Sequence, residues 1–354
     1  MKKLLFSSFL VLFASCFVFS QVRTVSNALN SPGQYTSLQA AIDSAVTGDT
    51  IYVHPGSYGN ITINKRLTII GAGFNPQGQF TNVATVAQVT LDKFVPTTSA
   101  SGTKLIGLNI GYIYQKPLEQ FQIDSILIER CRFFTSTTSF ILGNYWTLRN
   151  NLFVWTTTSG SIDVNFYNYI LFENNIFSSP AYSYQIQRSN KSTVFFVNNL
   201  FTGHYDNTNQ FSSVSYARFE NNIFFGKSPN QATNSDFAKN IFYGNSNNNL
   251  NPSSNGVGNM SSVDPQFTSM PIDNTMYQFS YTNDYRLKAT SPGKNAGTDG
   301  TDIGIFGGQR PMPLNVITIT GEPQIPQIYY MFLQNSVIDP NTPLNVTIKA
   351  RKVN

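Results

Sequence analysis

Six-residue motifs recur through the middle of the chain, apolar at the first and sixth positions and mostly polar between. They run Ile128-Glu129-Arg130-Cys131-Arg132-Phe133, Leu148-Arg149-Asn150-Asn151-Leu152-Phe153 and Phe172-Glu173-Asn174-Asn175-Ile176-Phe177. Phe196-Val197-Asn198-Asn199-Leu200-Phe201, Phe219-Glu220-Asn221-Asn222-Ile223-Phe224 and Phe237-Ala238-Lys239-Asn240-Ile241-Phe242 follow, and Leu105 to Ile110 is a degenerate first member. The fourth positions fall at 108, 131, 151, 175, 199, 222 and 240, at intervals of 18 to 24 residues. Such a period means one supersecondary unit per repeat, each stacked on its neighbours. The stretch has no run with helical apolar spacing. It shows short alternating segments such as Tyr169-Ile170-Leu171-Phe172-Glu173 between Asn and Gly. The pattern therefore predicts an all-β solenoid of strand-turn-strand coils, a parallel β-helix. With coils about 4.7–4.9 Å apart, roughly ten of them between residues 51 and 290 make a rod on the order of 50 Å long.

Each column of the repeat has a physical reading. First and sixth positions stack inside the tube. The fourth, Asn in five repeats, is expected to take the left-handed backbone of a sharp turn and to hydrogen-bond from coil to coil. Cys131 stands in that column beside Leu108 as an apolar substitute and reads as structural rather than catalytic. At the second position Glu129, Arg149 and Glu173 predict an outward ion-pair ladder.

The flanks differ. Thr36-Ser37-Leu38-Gln39 matches a helix capping box, and Leu38, Ala41, Ile42, Ala45 and Val46 repeat at helical spacing, which predicts a short helix over the open N-terminal end of the tube. Asp49 to Gly71 reads as the first coil. Residues 244–262, rich in Asn, Ser and Gly, read as a loop. Beyond Pro311, three short strand-like runs separated by prolines predict a β tail packed on the tube's flank or serving attachment. The division expected is thus 1–20, 21–310 and 311–354.

The run from Leu38 through Gly71 resembles the N-terminal signature of right-handed parallel β-helix proteins of the pectin-lyase-like superfamily, and the Asn-Asn-Ile-Phe repeats resemble its asparagine ladder. Asp302-Ile303-Gly304-Ile305-Phe306-Gly307-Gly308, after Asp284-Tyr285-Arg286-Leu287, is similar to the closing coil of many secreted bacterial members. The resemblance spans about residues 35–310. It implies the fold and leaves the activity open, because the superfamily holds lyases, hydrolases, esterases and adhesins.

The leader adds a location. Lys2-Lys3, the apolar run from Leu4 to Phe19 and the modest residues before Gln21 predict a signal peptide cleaved near Ser20. A membrane anchor and a lipoprotein site at Cys16 are competing readings, disfavoured by the short apolar core and by Phe13. The product is then secreted, periplasmic or displayed at the cell surface. Without the leader the charge falls from +5 to +3, and charged residues are only 12% of the chain, which excludes a nucleic-acid binder built on a dense basic face. A monomer with no transmembrane segment is expected.

Chemistry is sparse. His54 and His204 are the sole histidines, so no metal site is expected. The coils lack the clustered acids of the lyase branch and the adjacent aspartates of the hydrolase branch that the resemblance suggests. No cofactor is evident, and calcium enters only if the protein is a polysaccharide lyase. A groove along one strand face points to Asp163, Asn165, Tyr167, Tyr184 and Arg188, with Trp155, as carbohydrate contacts. The sequence thus favours binding of an extracellular polysaccharide, or a surface-structural role, with no recognisable catalytic set. The alternative is a lyase or glycoside hydrolase acting on acidic, pectin-like glycans.

Overall fold

The computed structural model describes residues 20–29, 33–74, 83–94, 98–115, 123–134, 139–141, 143–154, 161–164, 169–179, 186–189, 193–203, 211–244, 249–270, 279–315, 318–319, 321–323, 326–333 and 346–352. Three parallel sheets wrap the tube. The first has eleven strands, from Val22–Val25 through Leu127–Glu129, Thr147–Arg149 and Ile170–Glu173 to Asn255–Val257. The second has ten, from Gly56–Ile63 to Met260–Ser261, and the third has five, from Ser139–Ile141 to Ala232–Thr233. The chain is therefore a parallel β-helix, but the expectation of roughly ten full coils needs correction. Only five rungs carry a strand on the third face among the described residues. Towards the N-terminal end Gly56–Ile63, Ala84–Leu91 and Asn109–Gln115 run seven or eight residues, and Ser139–Ile141 lies against the last of them. One long strand there runs on where later coils start a separate one.

The repeat register is continuous: Ile128, Leu148, Phe172, Phe196, Phe219 and Phe237 are cross-strand partners in the first sheet. Inside the tube two phenylalanine columns face each other. Phe172, Phe196, Phe219 and Phe237 stack at 4.8, 4.7 and 4.3 Å, and Phe133, Phe153, Phe177, Phe201 and Phe224 at 4.7–4.9 Å. These separations are the coil spacing, so burial and ring stacking act in the same geometry.

The turn between the first and second sheets divides its work between adjacent residues. The third motif position, not the fourth, carries the left-handed backbone: φ is 55° at Arg130, 53° at Asn150, 52° at Asn174, 55° at Asn198, 57° at Asn221 and 57° at Lys239. The fourth position turns inward and is buried. Asn175 Oδ1 accepts from the Asn151 N–H at 2.9 Å and from Asn151 Nδ2 at 3.0 Å, while Asn175 Nδ2 donates to the Leu148 carbonyl at 2.7 Å. The same bonds link Asn175 to Asn199, Asn199 to Asn222 and Asn222 to Asn240. Cys131 N–H donates to Asn151 Oδ1 at one end, and Asn259 Oδ1 accepts from Asn240 at the other. Asn259 belongs to a further coil, Asn255–Val257 with Met260–Ser261, inside the stretch expected to be a loop. Gly256 and Ser261 stand there in place of the phenylalanines of the other repeats, so composition conceals it.

Outside the turn run residues 293–315 and 321–323, here the strap. Its carbonyls are held by the third-position side chains. Asn198 Nδ2 donates to Asp302 and Gly304 O at 3.2 and 3.1 Å, and Asn174 Nδ2 to Ile305 and Gly307 O, both at 2.9 Å. Asn150 Nδ2 donates to Arg310 O at 3.1 Å, and Arg130 Nη1 to Glu322 O. A Cβ at Gly307 would collide with the Asp302 carbonyl and Asn198, which fixes glycine there. The expected closing coil is thus this strap, preceded by an antiparallel pair of Phe267–Ser269 with Asp284–Leu287. Beneath it the fifth-position residues Leu152, Ile176, Leu200, Ile223 and Ile241 form an outer apolar column, buried with Ile303, Ile305 and Met312. Of the expected second-position ladder, the Glu129–Arg149 rung is present, with Arg149 Nη2 2.8 Å from Glu129 Oε2. Both side chains are largely covered rather than fully outward.

At the N-terminal end the helix spans Leu38–Ser44, and Ser37, not Thr36, caps it by accepting from the Ala40 N–H. Gln39 instead bonds the Thr62 backbone, tying the helix to the first long strand. Leu38, Ala41 and Ile42 are buried, whereas Val46 lies beyond the helix and is exposed. Asp49 is buried and accepts from the N–H groups of Gln21 and Val46 and from Arg23 Nε at 2.8–3.0 Å. Burial alone would raise its carboxyl pKa; the two N–H donors and the guanidinium outweigh burial and hold it below the usual value. Past the strap, Pro326–Leu333 pairs antiparallel with Val346–Lys352.

Two outcomes test this turn and this cap. Replacing Asn175 by Ala removes acceptors and donors on two coils and should lower unfolding free energy by about 2–4 kcal/mol. Asn174→Gly keeps the left-handed backbone and releases only the strap, so it should mainly speed limited proteolysis between residues 293 and 323. A loss under about 0.5 kcal/mol for Asn175→Ala in chemical denaturation would contradict a ladder that couples coils. Because the folded pKa of Asp49 is depressed, its stabilisation is present above the unfolded value near 3.9 and fades as pH falls through the folded one. Asp49→Asn should therefore destabilise at pH 7 and shrink the gap to wild type as the pH approaches about 3. A constant gap would rule out the carboxylate as its source.

Candidate functional site

The turn from the third sheet into the first presents a second recurring column, three residues before each motif: Ser125, Tyr145, Tyr169, Thr193, Tyr216 and Asn234. The residue that follows each is buried: Ile126, Trp146, Ile170, Val194, Ala217 and Ser235. The Trp146 indole donates to the Ile123 carbonyl at 2.7 Å and so pins the turn before its strand. With the chain anchored there, the preceding residue is thrown outward. Tyr145, Tyr169 and Tyr216 have φ of 58°, 58° and 60° and exposures of 57, 53 and 51%. A bulky side chain in that region is uncommon, and each such residue costs on the order of 1–3 kcal/mol. Tyr145 and Tyr169 stack with centroids 5.1 Å apart and planes within 6°.

Beside this edge lies the outer face of the first sheet. Leu127, Thr147, Leu171 and Phe195 form a half-buried, uncharged row that continues into exposed Arg218 and Asp236. Arg218 is paired with Glu220. The far border of the face is the strap, where Glu129, Arg130 and Asn150 line a cleft of about 300 Å³ with residues 309–314. Nearby, burial raises the Glu173 carboxyl pKa against the lowering effects of Arg149 and Arg310. Glu129 and Arg149 are committed to each other in the ladder.

Of the residues expected from sequence, Asn165, Tyr167, Tyr184 and Trp155 lie outside the described residues. Asp163 and Arg188 fall on neighbouring third-sheet strands, Ser161–Asp163 and Ile186–Ser189, and the register places Gln187 beside Asp163 with Arg188 one residue further on. Cys131 is buried and its thiol is pushed up to about 12 by burial, so it is no nucleophile. Lys227 is also buried, which lowers its ammonium to about 8. No group of three metal-ligating side chains occurs among the described residues, and no helix among them is long and apolar enough to cross a membrane. The tyrosine edge itself escaped the sequence reading. Its signal was nonetheless present, as a tyrosine three residues ahead of the motifs at 148, 172 and 219.

No protein-family model matches the chain, and no curated protein matches it. Among solved structures, the chain is similar to the pectin methylesterase from Aspergillus niger in its deglycosylated form, at 15% identity and a TM-score of 0.40, over 79% of this chain and 96% of that one. The penultimately deglycosylated form of the same enzyme aligns at 14% identity and a TM-score of 0.40, over 69% and 91% of the two chains. Pectate lyase Pel9A aligns at 14% identity and a TM-score of 0.34, over 85% and 96%. These similarities concern the coiled architecture, which the three parallel sheets establish on their own.

Proposed function

We propose that the protein is a secreted, non-catalytic polysaccharide-binding β-helix that engages its glycan along the tyrosine edge. One observation carries the reading: three exposed tyrosines project from one corner of the tube, at a left-handed turn position that Ser125 and Asn234 of the same column share. The repeat's turn imposes this conformation whatever residue stands there, and a ring held in it is fixed outward. Aromatic rings offer flat apolar faces to the C–H groups of sugars, and phenol hydroxyls offer hydrogen bonds at the same place. Asp163 and Arg188, whose strands precede this edge in the chain, are proposed as further polar contacts in this reading. Against a lyase or hydrolase, Glu129 is paired with Arg149, Glu220 with Arg218, and Asp302 with Lys294 at 2.7 Å. Calcium belongs to the lyase alternative alone.

The test is glycan binding by the triple variant Tyr145→Ala, Tyr169→Ala, Tyr216→Ala. Each stacking contact is worth about 0.5–1.5 kcal/mol, so losing two or more of them should weaken binding at least about five-fold. Product analysis should show no cleavage by either protein. Binding that survives the triple substitution, or turnover in wild type, would remove this reading.

A further inference from the structure

Among the described residues, the row of tyrosine rings is interrupted on one coil, and the interruption has a thickness. Tyr169, Thr193 and Tyr216 occupy equivalent positions on three consecutive coils, because Ile170 pairs with Val194 and Phe195 with Arg218. Inside the tube the same three coils carry Phe172, Phe196 and Phe219, which stack at 4.8 and 4.7 Å. Outside, the middle coil has half-buried Thr193, whose side chain bears no ring. One coil earlier, Tyr145 and Tyr169 show how these outer rings sit: parallel, at the coil spacing, with faces directed along the tube. Tyr216 shares their backbone conformation.

We infer that Tyr169 and Tyr216 form a slot two coil spacings wide, about 9.5 Å, that accepts one uncharged pyranose ring in the layer where Phe196 lies inside. This rests on the polysaccharide-binding reading above and names the sugar that site takes. The inserted ring lies at an ordinary stacking distance from both tyrosines and presents its C–H faces to them. The described surroundings of the slot, Thr193, Leu171 and Phe195, are uncharged, and the neighbouring guanidinium of Arg218 is already engaged by Glu220. A uronic acid would bring a carboxylate with no free cation among these residues to meet it, so neutral hexose chains are favoured over acidic, pectin-like ones. Tyr145 stands behind Tyr169 and outside the slot.

Calorimetry with neutral gluco-, manno- and galacto-oligosaccharides, and with oligogalacturonate, tests the slot. At least one neutral series should bind wild type more tightly than oligogalacturonate does. Thr193→Tyr should fill the slot, weaken that binding about ten-fold or more and leave the melting temperature equal or higher. Should that variant fold poorly, the single substitutions decide instead. Tyr169→Ala and Tyr216→Ala should each weaken binding about five-fold or more, while Tyr145→Ala changes it less than about two-fold. Undiminished binding by a folded Thr193→Tyr, equal losses at all three tyrosines, or preference for oligogalacturonate would overturn the slot and leave the tyrosine-edge reading standing. Loss of nothing in the triple variant would instead overturn that edge.

Discussion

The bond on which the rest of the structure depends runs from a side-chain amide oxygen of one coil to the backbone N–H of the coil before it. At Asn151, Asn175, Asn199, Asn222 and Asn240 the backbone turns sharply between two sheets, where strand pairing cannot satisfy a buried N–H. An asparagine one coil on supplies the acceptor, and its own Nδ2 is used in turn on a strand carbonyl and on the next amide. No net hydrogen bond of this kind exceeds about 1.5 kcal/mol, but leaving one buried group unpaired costs more than making the bond gains. The ladder therefore fixes register as much as it stabilises. A slip by one residue would strand every amide at once and turn both phenylalanine columns out of the core.

The residue before each ladder asparagine gives the same turn an outer function. Its left-handed backbone points Asn150, Asn174 and Asn198 at the strap, whose carbonyls they bind. An Asn-Asn pair is thus a two-sided latch, inward to the next coil and outward to the chain's own C-terminal segment. The strap then closes over Leu152, Ile176, Leu200, Ile223 and Ile241, so the outer face of the second sheet belongs to the molecule itself. Among the described residues, the first sheet and the corner where the tyrosines project stay open to a ligand. The fold places its candidate site by occupying the competing surface.

How much of this could be read beforehand follows from which interactions are local to the repeat. The period, the inward first and sixth columns and the stacking asparagines are properties of each unit and stand in the sequence. The left-handed position was misplaced by one residue because Asn150-Asn151 and its counterparts are identical in type and differ only in direction. The apolar fifth column, Leu152 to Ile241, was visible yet unexplained, since its partner lies up to about 150 residues away in the strap. The last coil around Asn259 lacks phenylalanine, so its composition reads as loop. The tyrosines mislead in the opposite direction: aromatic residues in so aromatic a chain read as core, and only their exposure at a left-handed turn shows them outward.

Native-state hydrogen exchange at the turn tests the central claim most directly. If the side-chain ladder couples the coils, the backbone N–H groups of Asn151, Asn175, Asn199 and Asn222 should exchange only through global unfolding, with one shared dependence on denaturant. Exchange of these amides through local opening, at rates insensitive to denaturant and far ahead of the strand amides beside them, would contradict it.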